Sequence, residues 1–294
     1  MMTEQTHTLP APKKALFNFQ QIDAFHMMVG YLLLLMVAAV LILPLYWMLS
    51  TAVKGPDQMF DLPPAWVPNP IEWDNFSQVF EEVPFGRFLI NTVIIVIFNI
   101  IGQLFSVTLV AYGFARVRFP GRSFLFLIML STLMIPYHVT LVPRFILFAK
   151  IGWINTYLPL IVPAFTGSPF MIFLVRQYMM SIPFDLDEAA SIDGATRFGV
   201  FWRIILPLSR PALVLVVVFT FVGTWNDFLQ PLIYLNDPKL FTVSLGLSFF
   251  QGAQETNWNL LMAGSLMATI PPLILFFIAQ RQLIGGISIE GLKG

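Results

Sequence analysis

"RFLINTVIIVIFNIIGQLFSVTLVAYGFAR", residues 87–116, carries no charge between its two terminal arginines, a run of 28 residues. A helix needs about 20 apolar residues to cross a bilayer, so this stretch is long enough to span one. It also lacks the strict alternation of apolar and polar positions that a barrel strand needs. The same test, moved outward, finds charge-free intervals at Asp23–Lys54, Arg122–Arg144, Lys150–Arg176 and Glu255–Arg281. A further apolar run, Pro211–Leu235, is broken only by Asp227. Lipid offers the backbone no hydrogen-bond partners, so only helices and closed barrels cross it. The expected fold is therefore an all-α integral membrane protein with six transmembrane helices.

Composition points the same way. Hydrophobic residues make up 57% of the chain and charged residues 11%, with a mean hydropathy of +0.78; soluble domains carry about 25% charge. The net charge is zero and there is no basic tail, so no nucleic-acid partner is expected. The absence of cysteine excludes disulfides, thiolate chemistry and cysteine metal sites. Membrane lipid is the expected surrounding.

Lysine and arginine set the orientation. With the N-terminus inside, the cytoplasmic segments hold Lys13, Lys14, Arg116, Arg118, Arg122, Arg176, Arg197, Arg203, Arg210, Arg281 and Lys293. The outer segments hold Lys54, Arg87, Arg144, Lys150 and Lys239, so eleven against five favours N-in and C-in. This gives a cytoplasmic tail 1–26, a first helix 27–53 and an external loop 54–87. A core 88–282 follows, with helices 89–115, 123–146, 154–176, 211–235 and 260–282 and a cytoplasmic loop 177–210. A cytoplasmic tail 283–294 ends the chain. Residues 1–26 contain no apolar signal-peptide core, so the first helix is expected to stay as an uncleaved anchor.

Loop 54–87 contains prolines that argue against one continuous helix, and Trp66 and Trp73 suit a membrane interface. It reads more simply as an interfacial cap than as a ligand site. Its Asn75-Phe-Ser77 sequence formally matches a glycosylation sequon but is too short to carry weight. Loop 236–259 is long enough to reach a partner outside the membrane, or to serve as a cap with an interfacial Trp258.

The polar stretch "EAASIDGATRFGVFWRIILPLSRPA", residues 188–212, stands out among the apolar runs. Pro183 can open a helix with Asp185, Asp187 and Glu188 in its first turn, where the helix dipole favours acids. Leu186, Ala189, Ala190 and Asp193 then fall on one face. Gly194 suits a helix C-terminus, and Thr196 can cap a second helix. Phe198, Phe201, Trp202 and Ile205 line one side of that second helix, and Pro207 and Pro211 break the chain before the fifth span. On physical grounds alone the element is either a docking surface or an interfacial hairpin without a partner.

The order Glu188-Ala189-Ala190, Asp193-Gly194-Ala195, Ile204 and Leu206-Pro207 resembles the EAA loop of ABC-importer permeases. "LVPRFILFAKIGWINTYLPLIVP" (141–163), "TWNDFLQPLIY" (224–234) and residues 258–294 resemble carbohydrate permeases of the maltose-type second-subunit family. The resemblance covers the chain from Met27 onward; Arg144 departs from it, standing where an apolar residue is expected. It implies the type I ABC-importer permease fold in the cytoplasmic (inner) membrane. It implies four partners: a second permease subunit, a dimer of ABC ATPases, an extracytoplasmic solute-binding protein and a sugar substrate. It also implies that Glu188, Ala189, Ala190, Asp193, Gly194, Ala195, Leu206 and Pro207 couple to the ATPase, and that Gln251, Gly252, Gln254 and Asn257 touch the binding protein.

Polar groups within spans are candidates for the substrate path because lipid penalises them. These are Trp225, Asn226 and Asp227, and, near Pro136, Tyr137, His138, Thr140 and Arg144. Asp227 reads either as a path residue or as a structural lock. There is no phosphate-binding GxxxxGK[ST] loop, no HExxH and no histidine cluster. The chain is thus expected to be a non-catalytic subunit that binds no cofactor or metal, with ATP and magnesium held by the partner ATPase. The alternatives are an ion-gradient-driven secondary transporter, which would show paired repeats and midplane ionisable groups, and a membrane enzyme, which would need a His, Asp or Ser cluster at one interface.

Overall fold

The computed structural model describes residues 24–252 and 256–285. Among them regular structure is helical, apart from an isolated antiparallel bridge between Gln251 and Thr256. The helices are α1 (Ala24–Ala52), α2 (Asn75–Glu82), α3 (Phe85–Arg116), α4 (Arg122–Ser131), α5 (Tyr137–Lys150), α6 (Leu158–Ile161) and α7 (Pro169–Ser181). They continue with α8 (Asp185–Ile192), α9 (Arg197–Val200), α10 (Leu206–Leu208), α11 (Arg210–Trp225), α12 (Leu229–Tyr234), α13 (Val243–Gly246) and α14 (Trp258–Gly285). Contacts divide the chain into two units, residues 1–48 and 49–294. Residues 24–48 of the first are an apolar helical stretch with Pro44 inside it.

Four helical stretches are long and apolar enough to span a membrane: His26–Ala52, Phe85–Arg116, Leu158–Ser181 and Trp258–Gln282. Two bent pairs raise the number to six if each pair is one span. The expected helix 123–146, with its kink at Pro136, is two helices, meeting at 95° between Met134 and Tyr137. Ile135 is extended ahead of Pro136, as the pyrrolidine ring requires of its predecessor. The expected helix 211–235 is likewise broken, ending at Trp225 and restarting at Leu229. Pro231 lies in the first turn of α12, where its missing N–H costs nothing, so the break comes before the proline and not at it.

Helix α3 is the axis of the second unit. Asn91, Asn99, Gly102 and Ser106 recur at spacings that keep them on one side of it. The side chains of Asn91, Asn99 and Ser106, with Thr92, hold irregular backbone that would otherwise be buried without partners. The Asn91 amide donates to the carbonyls of Lys239 and Phe241, both at 2.9 Å. Thr92 Oγ1 accepts from Val243 N at 2.8 Å. Asn99 donates to Leu160 O at 3.0 Å and Ser106 to Ala164 O at 3.2 Å. At Gly102 the backbone comes so near the Phe165 ring that a Cβ would lie 2.7 Å from it.

Three apolar clusters pack along this axis. Phe85, Phe88, Val243, Phe250 and Leu260 form one at the Phe85 end. Ile95, Phe148, Leu160, Tyr234 and Leu235 form the middle one. Val107, Ala111, Ala115, Met179, Ala190, Val200 and Ile205 form one at the Arg116 end. Asn75 is buried, with its amide donating to Ala52 O and Lys54 O and accepting from Asn259, so it is not exposed as a sugar acceptor.

Candidate functional site: the 177–210 loop and the polar breaks

The loop begins on the end of α7 and forms the expected pair of short helices. Acids fill the first turn of α8. Gly194 takes φ +82, Ala195 N bonds Ala190 O at 2.9 Å, and Gly194 N bonds Ser191 O at 3.1 Å. Together these close the helix as a Schellman turn, which needs the left-handed residue. Thr196 Oγ1 accepts from Gly199 N at 3.1 Å and caps α9.

The faces of these helices differ from expectation. Ala190 turns inward and is buried against the cluster at the Arg116 end, whereas Leu186, Ala189 and Asp193 do not share that contact surface. The exposed side of α8 carries Asp185, Glu188, Ala189 and Ile192, and it continues through Asp193, Gly194 and Ala195. Ile192 is 87% exposed, unusual for a branched apolar side chain at a helix end. In the following segment Phe201 and Ile205 are buried while Phe198 and Trp202 are exposed. The backbone from Phe201 to Ile205 is a π-helical turn. Its wider winding separates side chains that α spacing would place together. Phe198, Phe201, Trp202 and Leu206 line an apolar cleft of about 380 Å³ with Leu104, Phe105 and Leu109 of α3. Pro207 is exposed and Leu206 half-buried.

Two residues of α3 that the sequence reading did not single out hold this loop. Arg116 is 7% exposed, and its Nη2 donates to Met179 O and Ile182 O, both at 2.6 Å. Its Nη1 lies 3.5 Å from Asp187 Oδ1, and its guanidinium stacks 4.4 Å from the centre of the Phe184 ring. Burial pushes the Asp187 carboxyl above its ordinary range, with Arg116 opposing the shift. One turn earlier, Tyr112 Oη donates to Arg197 O at 3.0 Å, and its ring packs 4.9 Å from Phe201. The signal available in the sequence was an arginine ending an apolar span with a tyrosine four residues before it.

The candidates within the spans separate into two groups. Trp225 is buried, with its indole N–H donating to Ala268 O at 2.9 Å. That carbonyl lacks its helical donor because Pro272 has no N–H. Trp225 therefore fastens α11 to α14; its ring stacks on Phe221, and the residue lines the same cleft as Asn226. Asn226 borders a cleft of about 280 Å³ with Ser244, Ser265 and Thr269. Asp227 accepts from Gln230 N at 3.2 Å and from Gln230 Nε2 at 2.7 Å, which caps the restart of the chain as α12. It also lines a cavity of about 100 Å³ with Thr92, Asn99, Thr224 and Thr242. Ligand pockets run to about 300–1,000 Å³, so this one has room for water and not for a sugar.

On α5, Arg144 sits 5.3 Å from the centre of the Tyr137 ring, and Tyr137 lies within electrostatic reach of Tyr234 and Asp227. The hydroxyls of Tyr137 and Tyr234 are both buried and lie close to each other. His138 and Arg144 are exposed, and Thr140 bonds back to Tyr137 O at 2.8 Å. The α5 residues border neither the cleft at Asn226 nor the small cavity at Asp227.

Loop 236–259 is mostly folded into the second unit, with Val243, Leu245, Gly246 and Phe250 buried. Gln251 and Thr256 pair in the isolated bridge, and beside it Asn257 N donates to Phe250 O at 2.9 Å. Gln251, Gly252 and Asn257 are exposed there. Gln254, the tail 1–23 and residues 286–294 lie outside the described residues. Among the described residues there is no group of three or more His, Asp or Glu able to hold a metal ion.

Known proteins agree with this architecture. Residues 107–284 match the family described as binding-protein-dependent transport system inner membrane component. The chain is 37% identical over 256 residues to the probable ABC transporter permease protein YurM of Bacillus subtilis, covering 85% of this chain and 83% of that one. It is 37% identical over 232 residues to the arabinooligosaccharides transport system permease protein AraQ of Halalkalibacterium halodurans, covering 77% and 81%. A bacterial ABC transporter involved in the import of the acidic polysaccharide alginate has the same fold, with TM-score 0.77 at 20% identity over 89% of this chain and 97% of that one. The secondary-transporter reading fails against these matches. The chain belongs to the inner-membrane components of binding-protein-dependent transport systems and is a multi-pass ABC-transporter permease of the cytoplasmic membrane.

Proposed function

We propose that this chain is one of two permease subunits of an ATP-driven importer that carries a sugar or oligosaccharide inward. Each bent helix pair counts as one span, giving six, with both termini inside as the lysine and arginine distribution favours. The 177–210 loop then faces the cytoplasm. Its exposed strip, Asp185, Glu188, Ala189 and Ile192 with Asp193 to Ala195, docks on an ABC ATPase dimer. Leu206 and Pro207 anchor the strip beneath the span. The chain itself is non-catalytic and binds no cofactor; ATP and magnesium belong to the ATPase.

The observation that carries this reading is the exposed strip itself. Acids, Ala189 and an uncovered isoleucine stand on a loop whose other side, Ala190 included, is packed into the core. An apolar side chain so exposed on an ordered element suits an interface with another protein. The substrate class is supported by AraQ and by a further relative, 32% identical over 90% of this chain, the galactooligosaccharides transport system permease protein GanQ of Bacillus subtilis. It is also supported by the cleft at Asn226, Ser244, Ser265 and Thr269, where neutral hydrogen-bonding groups suit hydroxyl-rich ligands. Exposed His138 and Arg144 on α5 form a second candidate stretch of the path, beside Tyr137 and Thr140. Exposed Gln251, Gly252 and Asn257 contact the solute-binding protein on the opposite side, with Gln254 between them in sequence.

Affinity-tagged permease purified with its neighbouring subunits tests the docking strip. Wild type is expected to retain the ATPase, and Glu188→Lys or Ile192→Glu to lose it while the two permeases stay paired. Retention of the ATPase by both variants would refute the assignment.

A further inference from the structure

The contacts of Tyr112 and Arg116 have a mechanical consequence. Arg116 holds the entry to α8, through Met179 O, Ile182 O, Phe184 and Asp187. Tyr112 holds the exit, through Arg197 O. Both side chains come from adjacent turns of α3, and Ala111 and Ala115 on the same stretch pack in the cluster that contains Ala190. The loop is thus fastened to α3 on both sides of its exposed strip. At its other end α3 holds the 239–243 segment through Asn91 and Thr92. A 32-residue helix is about 48 Å long.

We propose that Tyr112 and Arg116 lock the 185–197 loop to α3, so that loop and helix move as one rigid body. The helix then carries the displacement of the loop to the 239–243 segment at its far end. Arg116 and Tyr112 are positioning residues; neither touches ATP or substrate. A guanidinium suits the role because one rigid fork reaches two carbonyls and a carboxylate together. Rigid-body switching needs elements that move as blocks, and the lock makes loop and helix one block. The inference rests on the docking reading only for the direction in which force enters; the lock itself is a property of this chain.

The sequence contains no cysteine, so spin labels can be placed cleanly. Ser191→Cys on α8 and Ile101→Cys on α3, both exposed, report the distance between loop and helix in the assembled transporter. The wild-type pair should give one narrow distance that is the same without nucleotide and with magnesium-ATP. Tyr112→Phe combined with Arg116→Met should broaden it, and ATP should then shift it. Arg116→Lys, which keeps the charge but loses the fork, should fall between them in width. A wild-type distance that changes on ATP addition overturns the proposal, as does a double variant indistinguishable from wild type. If the double variant does not assemble, Tyr112→Phe alone decides: broadening supports the lock, and a wild-type distribution refutes it. A mere loss of stability would lower yield without making the distance nucleotide-dependent. Failure of the docking reading looks different: Glu188→Lys would keep the ATPase, while the nucleotide-free distance would still report the lock.

Discussion

Gly194 shows how much one backbone angle decides. Its φ of +82 closes α8, and open space surrounds the position a Cβ would take. The cost of Gly194→Ala is therefore conformational, about 1–2 kcal/mol for a left-handed residue. Gly194→Asn should cost less, because asparagine tolerates that region. Faster hydrogen exchange at the amides of residues 193–195 in Gly194→Ala than in Gly194→Asn would verify this ordering. Arg116 and Asp187 should differ more sharply. Arg116→Met leaves two buried carbonyls without donors, at about 1–3 kcal/mol each. Asp187 contributes through a long 3.5 Å pair, and burial raises its pKa. A raised carboxyl pKa means that folding favours the protonated form; that contribution is complete at low pH and is lost as pH rises through the raised value. Asp187→Asn mimics the protonated group, so it should change stability by less than about 1 kcal/mol at neutral pH. Denaturation of the purified permease at pH 7 checks both, and an Asp187→Asn loss equal to that of Arg116→Met would contradict the assignment of the carbonyls as the main partners.

Helix α3 is the element on which the second unit depends. Asn91→Leu keeps the bulk of the side chain but strands the carbonyls of Lys239 and Phe241. The 239–243 segment should then open, seen as faster proteolysis there, with the 177–210 loop unaffected. Gly102→Val should be worse than Gly113→Val, because only the first drives a side chain into Phe165; the space around Gly113 is open. Thermal melting of the two variants compares them directly. The apolar run of α3 was legible from charge spacing alone, yet its polar stripe was not. Asn91, Asn99 and Ser106 lie at helical spacing, but their meaning depends on irregular backbone that is distant in sequence. The breaks at Pro136 and before Leu229 were signalled by prolines. Their angles and the exact restart depend on what α5 and α12 pack against. The inward turn of Ala190 was hidden because one alanine of the pair looks like the other until Ala111 and Ala115 come into contact.

At the scale of the whole molecule, the chain is a set of apolar helices joined by polar loops, of which 177–210 has one packed and one exposed side. Composition and charge spacing reveal the helices, because lipid imposes a severe rule on any spanning segment. The order of unlike residues from Glu188 to Pro207 reveals the loop. The contacts of the polar span residues were less legible: Trp225 bonds a proline-freed carbonyl and Asp227 bonds Gln230, and both need three-dimensional neighbours to recognise. ATP-dependent uptake into proteoliposomes tests the central claim most directly. The vesicles would hold this chain with its neighbouring permease, ATPase and binding protein, and would be offered labelled arabino- and galactooligosaccharides. The account predicts uptake that requires magnesium-ATP and is abolished by Glu188→Lys although the permeases still pair. Uptake driven by an ion gradient without ATP, or unchanged by Glu188→Lys, would contradict it.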